Sequence, residues 1–189
     1  MAVTNNAVIG VALGYIEANP DEMDLMRSLV VLALHGPAIT ARSTTPAHVT
    51  CRAAIVSPDW HVLEIMDSST STWHLPGGHV DAGASSLLGA ALGLAARHAG
   101  VDTNMVIPDA VIPFDVEASI VEAAPARGEP EHVHYDMTYL FHVEDRSLAV
   151  PDSVSTRVRW VEPGKVGGQL AGQLGVKLTE ASRHSRLVP

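Results

Sequence analysis

Residues 76–101 constrain the fold of this chain most, because a Gly-rich turn leads there into one long helix-forming stretch. The turn reads Pro76-Gly77-Gly78. Residues 85–98 are rich in Ala and Leu, which favour helix, and Gly100 stands where a helix C-cap commonly lies. The segment therefore predicts a glycine-rich loop that passes into a single helix.

The chain has 189 residues, enough for one domain with a core and a short additional segment. Its formal net charge is −9, with 17% charged and 47% hydrophobic residues. This acidic balance argues against broad contact with phosphate backbones, so we expect no nucleic-acid partner. A small phosphorylated ligand stays compatible, because one locally basic or metal-bearing pocket is enough to bind it.

The single cysteine, Cys51, cannot form an internal disulfide, and we expect it to be buried on a strand. No apolar run approaches the roughly 20 residues that span a bilayer, so no membrane contact is expected. The apolar residues 7–16 have no preceding Lys or Arg and are soon followed by Pro20, which favours a short helix over a signal peptide. We therefore predict a cytoplasmic protein.

The N-terminal part predicts helices rather than strands. Residues 21–35 begin after Pro20 with acidic residues and end before Gly36, which is typical of a helix. We predict that residues 1–45 form an N-terminal helical extension packed on the main domain. The main domain then comprises residues 46–189.

The main domain alternates between strand and helix patterns. The β-like runs are residues 49–56, 62–66, 110–121, 133–143 and 157–161. A Ser57-Pro58-Asp59 turn between the first two runs predicts a hairpin, and residues 165–174 predict a last helix. We therefore expect an α/β (α+β) fold with a mixed β-sheet sandwiched between helices.

Residues 73–101 resemble the Nudix box, a loop and helix in which a Gly-rich turn is followed by Glu, then Arg-Glu and Glu-Glu before a closing Gly. The spacing from Gly78 to Gly100 is one residue longer than the commonest form. That length is expected in the Nudix subgroup that reads Pro-Gly-Gly-His-Val at this point. The resemblance implies a Nudix-type sheet and a small-molecule substrate.

The same subgroup is similar to this chain in two further motifs. One is His48-Val49-Thr50, and the other is a His-x-His-x-Asp strand formed by His132, His134 and Asp136. The resemblance covers roughly residues 20–165.

The acidic residues of the box are missing from this chain. Family members hold magnesium or manganese with helix glutamates and cleave a diphosphate linkage by attack of water. Counted back from the closing glycine, the motif positions fall on or near Ala84, Gly93, Leu94, Arg97 and His98. Residues 82–101 contain no Asp or Glu. We therefore expect neither magnesium at the box nor ordinary Nudix pyrophosphatase activity.

Arg97 and His98 have two interpretations. They are a solvated helix face left after loss of the site, or they replace the lost groups. In the second case Arg97 binds a carboxylate or phosphate directly, and His98 ligates a metal or transfers a proton.

The strand at residues 133–143 carries the remaining chemistry. Its alternate residues form an apolar side and a polar side, and His132, His134 and Asp136 lie on the polar side roughly 7 Å apart in succession. Two imidazoles and a carboxylate suit iron, manganese or zinc better than magnesium. The alternative is a polar cleft without metal. His79, Asp81 or His98 would complete the site.

The predicted catalytic residues are His132, His134, Asp136 and His98, and the first three are also the predicted metal ligands. Substrate contacts are predicted for Gly77, Gly78, His79 and Arg97. Asp115 and Glu117 are expected to point to solvent. The histidines expected at the surface or at helix caps are His35, His61, His74 and His184.

Three functions are compatible with this sequence. The first is a non-standard Nudix-fold enzyme that uses the His/Asp cluster on a small organic substrate, and an anionic substrate is compatible with it. The second is a catalytically inactive ligand-binding domain, and the third is a residual metal-dependent phosphohydrolase. A homodimer is compatible with each of them.

Overall fold

The computed structural model describes residues 2–146, 157–167 and 172–185. These residues contain four α-helices and eight β-strands. In chain order they are α1 (Asn5–Ala18), α2 (Met23–His35), β1 (Ala47–Val56), β2 (Val62–Asp67), β3 (Thr72–His74), β4 (Gly77–His79), α3 (Leu87–Ala99), β5 (Val106–Pro108), β6 (Asp115–Val121), β7 (His132–Val143), β8 (Val158–Val161) and α4 (Gln173–Ser185).

The eight strands form one mixed sheet. Its central order is β3-β2-β1-β7-β5, while β4 pairs with β1, β6 with β7 and β8 with β2. β1 and β7 run parallel along the whole length of β1, and this register sets His48 opposite His134 and Thr50 opposite Asp136. Residues distant in sequence therefore lie side by side at the centre of the sheet.

Helices cover both faces of the sheet. The odd-numbered residues of β1, such as Val49 and Cys51, belong to one apolar cluster with residues of α1, α2 and α3. Ala54 of β1 belongs to a second cluster with Leu174 and Leu178 of α4. Since successive strand residues point to opposite faces, the sheet lies between two helical layers. The predicted α/β architecture is confirmed.

Helix α3 follows the Gly-rich loop as the sequence predicts. The Ser86 side chain accepts a hydrogen bond from the Gly89 backbone N–H at 3.0 Å and caps the first turn. Gly100 ends the helix in the left-handed conformation, with φ of 65°. Both ends of α3 are thus specified locally.

The prediction of a helix at residues 165–174 is wrong. A short 3₁₀ turn spans Pro163–Lys165, and α4 begins only at Gln173 and continues to Ser185. Residues 168–171 lie outside the described residues. Glycines lower helix propensity across the predicted range, whereas Leu174 and Leu178 share one face of α4 and pack in the core.

The strands also differ from prediction in two larger respects. The run predicted at residues 110–121 becomes a strand only from Asp115, because Pro113 cannot donate a ladder hydrogen bond. The short strand β5 was not predicted. Its pairing with β7, rather than a pattern of its own, makes it a strand.

The N-terminal helices join the core and also contact α4 through polar groups. Tyr15 donates a hydrogen bond to Glu22 at 2.5 Å, and Lys177 of α4 lies 2.6 Å from both Glu22 and Asp115. The division of the chain at residue 45 stays a prediction. None of the described helices has the length and apolar character needed to cross a bilayer.

Cys51 lies fully buried on β1, as expected. Burial raises the pKa of its thiol to about 12. We expect no reaction with a maleimide at mildly alkaline pH in the folded protein and complete reaction after unfolding in guanidinium chloride, measured by mass spectrometry. Rapid labelling of the folded protein would contradict this burial.

Candidate functional site

A cleft of about 480 Å³ opens on the sheet face that carries the even-numbered residues of β1. The described residues that line it come from β1, β2, β3, β4, β7 and the adjoining loops. They include Thr50, Arg52, Asp67, Trp73, His74, Leu75, Gly77, Gly78, His79, His134, Asp136 and Gly167. The cleft combines an apolar wall with hydroxyls, carboxylates and imidazoles.

Four imidazoles lie close together beside this cleft, and two of them, His79 and His134, line it. The other two are His48 and His132. The centroids of the neighbouring rings are separated by 4.6 to 5.2 Å. The parallel register places His48 beside His134, and antiparallel pairing of β4 with β1 adds His79 opposite Thr50. His48, His79 and His134 each offer one ring nitrogen, and these three nitrogens lie within 4.8 Å of one another. These three residues could hold a metal ion.

His48 is oriented for a ligand. Its ring is fully buried, and Nδ1 lies 2.9 Å from the Thr44 carbonyl oxygen. Because a carbonyl only accepts, Nδ1 carries the proton of the neutral ring and Nε2 carries the lone pair. Burial lowers the pKa of His48 and so favours the neutral ring. Its buried Nε2 has no hydrogen-bond partner among the described residues.

His132 and His134 form a directional chain. Nδ1 of His132 lies 2.8 Å from the Pro130 carbonyl oxygen, and its Nε2 lies 3.1 Å from Nε2 of His134. By the same reasoning Nδ1 of His132 donates and its Nε2 accepts from His134. His134 donates through its Nε2, so the lone pair of its neutral ring is on its own Nδ1. Burial lowers the pKa of His134 to about 4, despite the opposing charge of Asp136.

His79 completes the group from β4. Its pKa is lowered first by burial, then by His48 and by Arg42. The lowered pKa values of His48, His79 and His134 favour neutral rings, which is the state that binds metal.

Asp136 lies apart from the imidazoles. Its buried carboxylate accepts hydrogen bonds from Thr50, from Ser119 at 2.8 Å and from Arg52 at 2.8 Å. The three residues of the predicted His-x-His-x-Asp site therefore divide between two groups. His132 and His134 join the imidazole cluster, whereas Asp136 is the counter-ion of Arg52.

The expectation that Asp115 and Glu117 point to solvent is wrong. Asp115 is buried against Lys177. Glu117 lies 3.8 Å from Arg52, and burial raises its pKa although Arg52 opposes the shift. Pairing of β6 with β7 turns both carboxylates towards interior cations.

Helix α3, the helix of the Nudix-box segment, contributes no residue to the described cleft lining. Leu94 and His98 lie against Gly78, and Arg97 is an exposed residue that pairs with Asp81. Burial, followed by Arg97, lowers the pKa of His98, and a hydrogen bond to the Gly77 backbone opposes the shift. The residues around the Gly-rich turn line the cleft, but Leu94, Arg97 and His98 do not.

Two histidines of the site were not predicted. His48 was recognised only as part of a motif, although its even-numbered position on β1 sets it on the same face as Thr50. His74 was predicted at the surface or at a cap, but it lines the cleft and its Nδ1 lies 2.8 Å from the Leu75 carbonyl oxygen. The other three histidines predicted at the surface or at caps do not line the cleft: His35, His61 and His184.

No family model and no curated protein sequence matches this chain. Solved structures do match its fold. An Ap4A hydrolase from C. elegans, solved as a binary complex, aligns with a TM-score of 0.53 at 18% identity, over 73% of this chain and 97% of that one. A NUDIX-family hydrolase from Clostridium perfringens gives a TM-score of 0.52 at 18% identity, over the same shares of the two chains.

The E. coli dihydroneopterin triphosphate pyrophosphohydrolase is similar with a TM-score of 0.50 at 11% identity, over 72% of this chain and 95% of that one. At these identities the likenesses show the fold alone. The chain has the Nudix fold, which confirms the prediction from residues 73–101.

Proposed function

We propose that this protein is a Nudix-fold hydrolase of a small organic substrate that uses one divalent transition metal, iron, manganese or zinc, on His48, His79 and His134. The observation that carries the proposal is the buried Nε2 of His48, which points a lone pair into the cluster without a partner among the described residues. An unpaired buried acceptor is costly, and a metal ion would satisfy it.

The residues fit a transition metal better than magnesium. Imidazole nitrogen suits zinc, iron and manganese, and three protein ligands with an open position are typical of catalytic zinc. Magnesium prefers carboxylate and water oxygens. Residues 82–101 offer no carboxylate, and Leu94 and His98 lie against Gly78. The box helix is therefore a poor magnesium site.

The neighbours of the three ligands hold them in place. Thr44 fixes the His48 ring, and His132 fixes His134 through a chain that ends on the Pro130 carbonyl oxygen. Such hydrogen bonds orient ligating imidazoles in metal enzymes. We assign His132 as a positioning residue.

The cleft walls would hold the substrate. Trp73 and Leu75 offer apolar surface, and the Arg159 guanidinium stacks over the Trp73 ring at 4.2 Å from its centroid. Asp136 holds Arg52 in place in the cleft lining. A bound metal would supply Lewis acidity and activate water for hydrolysis.

Metal content tests the proposal. The full chain, loaded with zinc and dialysed, is expected to retain about one ion per chain, and His48→Gln or His79→Gln should weaken zinc binding by more than about 100-fold because each removes a ligand. Inductively coupled plasma mass spectrometry and competition with a chromogenic chelator measure both quantities. His184→Gln, at an exposed residue of α4, is the matched control.

Zinc retention by an Asp136→Asn variant distinguishes between two possible sets of metal ligands. Zinc retention by this variant, together with zinc loss in His48→Gln and His79→Gln, supports the three-histidine site. Zinc loss in Asp136→Asn with retention in a folded His79→Gln would instead favour His132, His134 and Asp136. A folded wild-type chain that binds none of the three metals would overturn the proposal and favour a ligand-binding domain.

A further inference from the structure

The imidazole cluster can be approached from a second side, away from the cleft. A pocket of about 130 Å³ touches His79, His132 and His134 and is also lined by Arg42 and Glu129. Beyond it lies a larger cavity of about 450 Å³ that shares Arg42, Glu129 and His132. The ion pair of Arg42 and Glu129 therefore borders both spaces.

Arg52, which lines the main cleft, and Arg159, which stacks on its wall residue Trp73, are already held by carboxylates. Arg52 is 20% exposed and lies between Asp136 and Glu117. Arg159 is paired at 2.7 Å with Glu64, which is fully buried. Removing either guanidinium from its partner would leave a buried carboxylate unpaired, which is strongly unfavourable. These arginines are poorly suited to bind an anionic ligand.

Arg42 differs from them in exposure and in its partner. Its side chain is 59% exposed, and it meets Glu129 at 2.5 Å, with the Glu129 side chain 27% exposed. Exchange of one carboxylate for another at an exposed guanidinium costs little. Ser43, Thr45 and Gly128 also line this cavity, so it contains further residues with polar groups besides Arg42 and Glu129.

Two segments that lie between the described ranges carry no cationic side chain. Residues 147–156 and 168–171 contain neither Lys nor Arg. Arg97 pairs with Asp81 and does not line the cleft.

We infer that the Arg42 cavity binds an oxyanion group of the substrate, a carboxylate or a phosphate, and that the Glu129 carboxylate occupies the guanidinium when this group is absent. The substrate then extends from Arg42 past His132 to the imidazole cluster. This inference rests on the proposed function for the identity of the reacting end, but anion binding at Arg42 is separable from it.

Anion binding to the metal-free full chain tests the inference. Acetate and inorganic phosphate are titrated separately, with calorimetry and the shift in melting temperature as readouts, and the stronger of the two identifies the group. Glu129→Gln is expected to bind that probe about three- to fivefold more tightly, because an exposed ion pair no longer competes. Arg42→Gln should bind it at least about tenfold more weakly, because the charge-assisted hydrogen bonds are lost.

Arg27→Gln, which removes an exposed arginine paired with Asp24, is the matched control and should bind as the wild type does. Equal loss in Arg27→Gln and Arg42→Gln would overturn the inference, as would unchanged affinity in Glu129→Gln. Loss confined to Arg97→Gln would move the anion site to the box helix. Zinc retention distinguishes the two proposals. The His48→Gln and His79→Gln variants test the metal site, whereas the Arg42→Gln and Glu129→Gln variants test the anion site.

Discussion

Replacement of Lys177 by methionine is expected to lower the free energy of unfolding by about 3 kcal/mol, because it leaves buried carboxylates without their cation. The Lys177 side chain is 21% exposed, and those of Glu22 and Asp115 are 19% and 3% exposed. Burial alone would lower the pKa of Lys177, but hydrogen bonds to Asp115, Glu22 and Tyr15 outweigh it and raise the pKa. The pair therefore stabilises the protein below the ordinary lysine pKa of 10.5 and is lost only in strong alkali.

Urea unfolding followed by circular dichroism measures this change. Lys165→Met is the control, because Lys165 pairs with Glu162 at the surface and should contribute less than about 1 kcal/mol. Adding Asp115→Asn to Lys177→Met should recover part of the loss, since the stranded charge is removed. Equal stabilities for Lys177→Met and Lys165→Met would show that the contact between the N-terminal helices and α4 contributes little.

Replacement of Gly77 by alanine is the second change with a large expected effect. A Cβ atom there would lie 2.7 Å from Cγ of Arg52 and 2.9 Å from the backbone oxygen of Cys51. Such overpacking against a central strand costs about 2–3 kcal/mol, which lowers the melting temperature by roughly 5–10 °C in a chain of this size. Because β4 also carries His79, zinc affinity should fall in the same variant.

Gly83→Ala is the matched control, since no heavy atom lies within 4 Å of a Cβ built there. Differential scanning calorimetry of the two variants, followed by zinc competition, compares the effects. A Gly77→Ala protein as stable as Gly83→Ala would mean that β4 does not approach β1 as closely as the structure places it.

Elements with local signals were predictable from the sequence. Helix α3 has its cap at Ser86 and its termination at Gly100, and both depend on residues within one turn of the helix end. The two faces of β7 follow from alternation alone, with Tyr135 and Met137 on the core side. The position of helix α4 was predicted wrongly, because its apolar residues are recognisable as one face only where they pack against the sheet.

The site was predictable only in part, because a strand sequence does not reveal its neighbours. The spacing of His132 and His134 correctly indicated one polar face, but Asp136 was assigned to the same ligand set. Pairing with β1 places Thr50 beside that carboxylate and Arg52 within reach of it. The same pairing brings in His48, which no spacing rule within β7 could reveal.

The pairing of β1 with β7 also determines how a metal would enter and leave. His48 and His134 lie on the two longest strands, which are hydrogen-bonded to each other along the whole of β1. His79 ends the three-residue strand β4, whose one strand partner among the described residues is β1. Opening of a short edge segment requires far less free energy than separation of central strands. Metal exchange should therefore begin with release of His79, at a rate set by local opening of β4 and not by global unfolding.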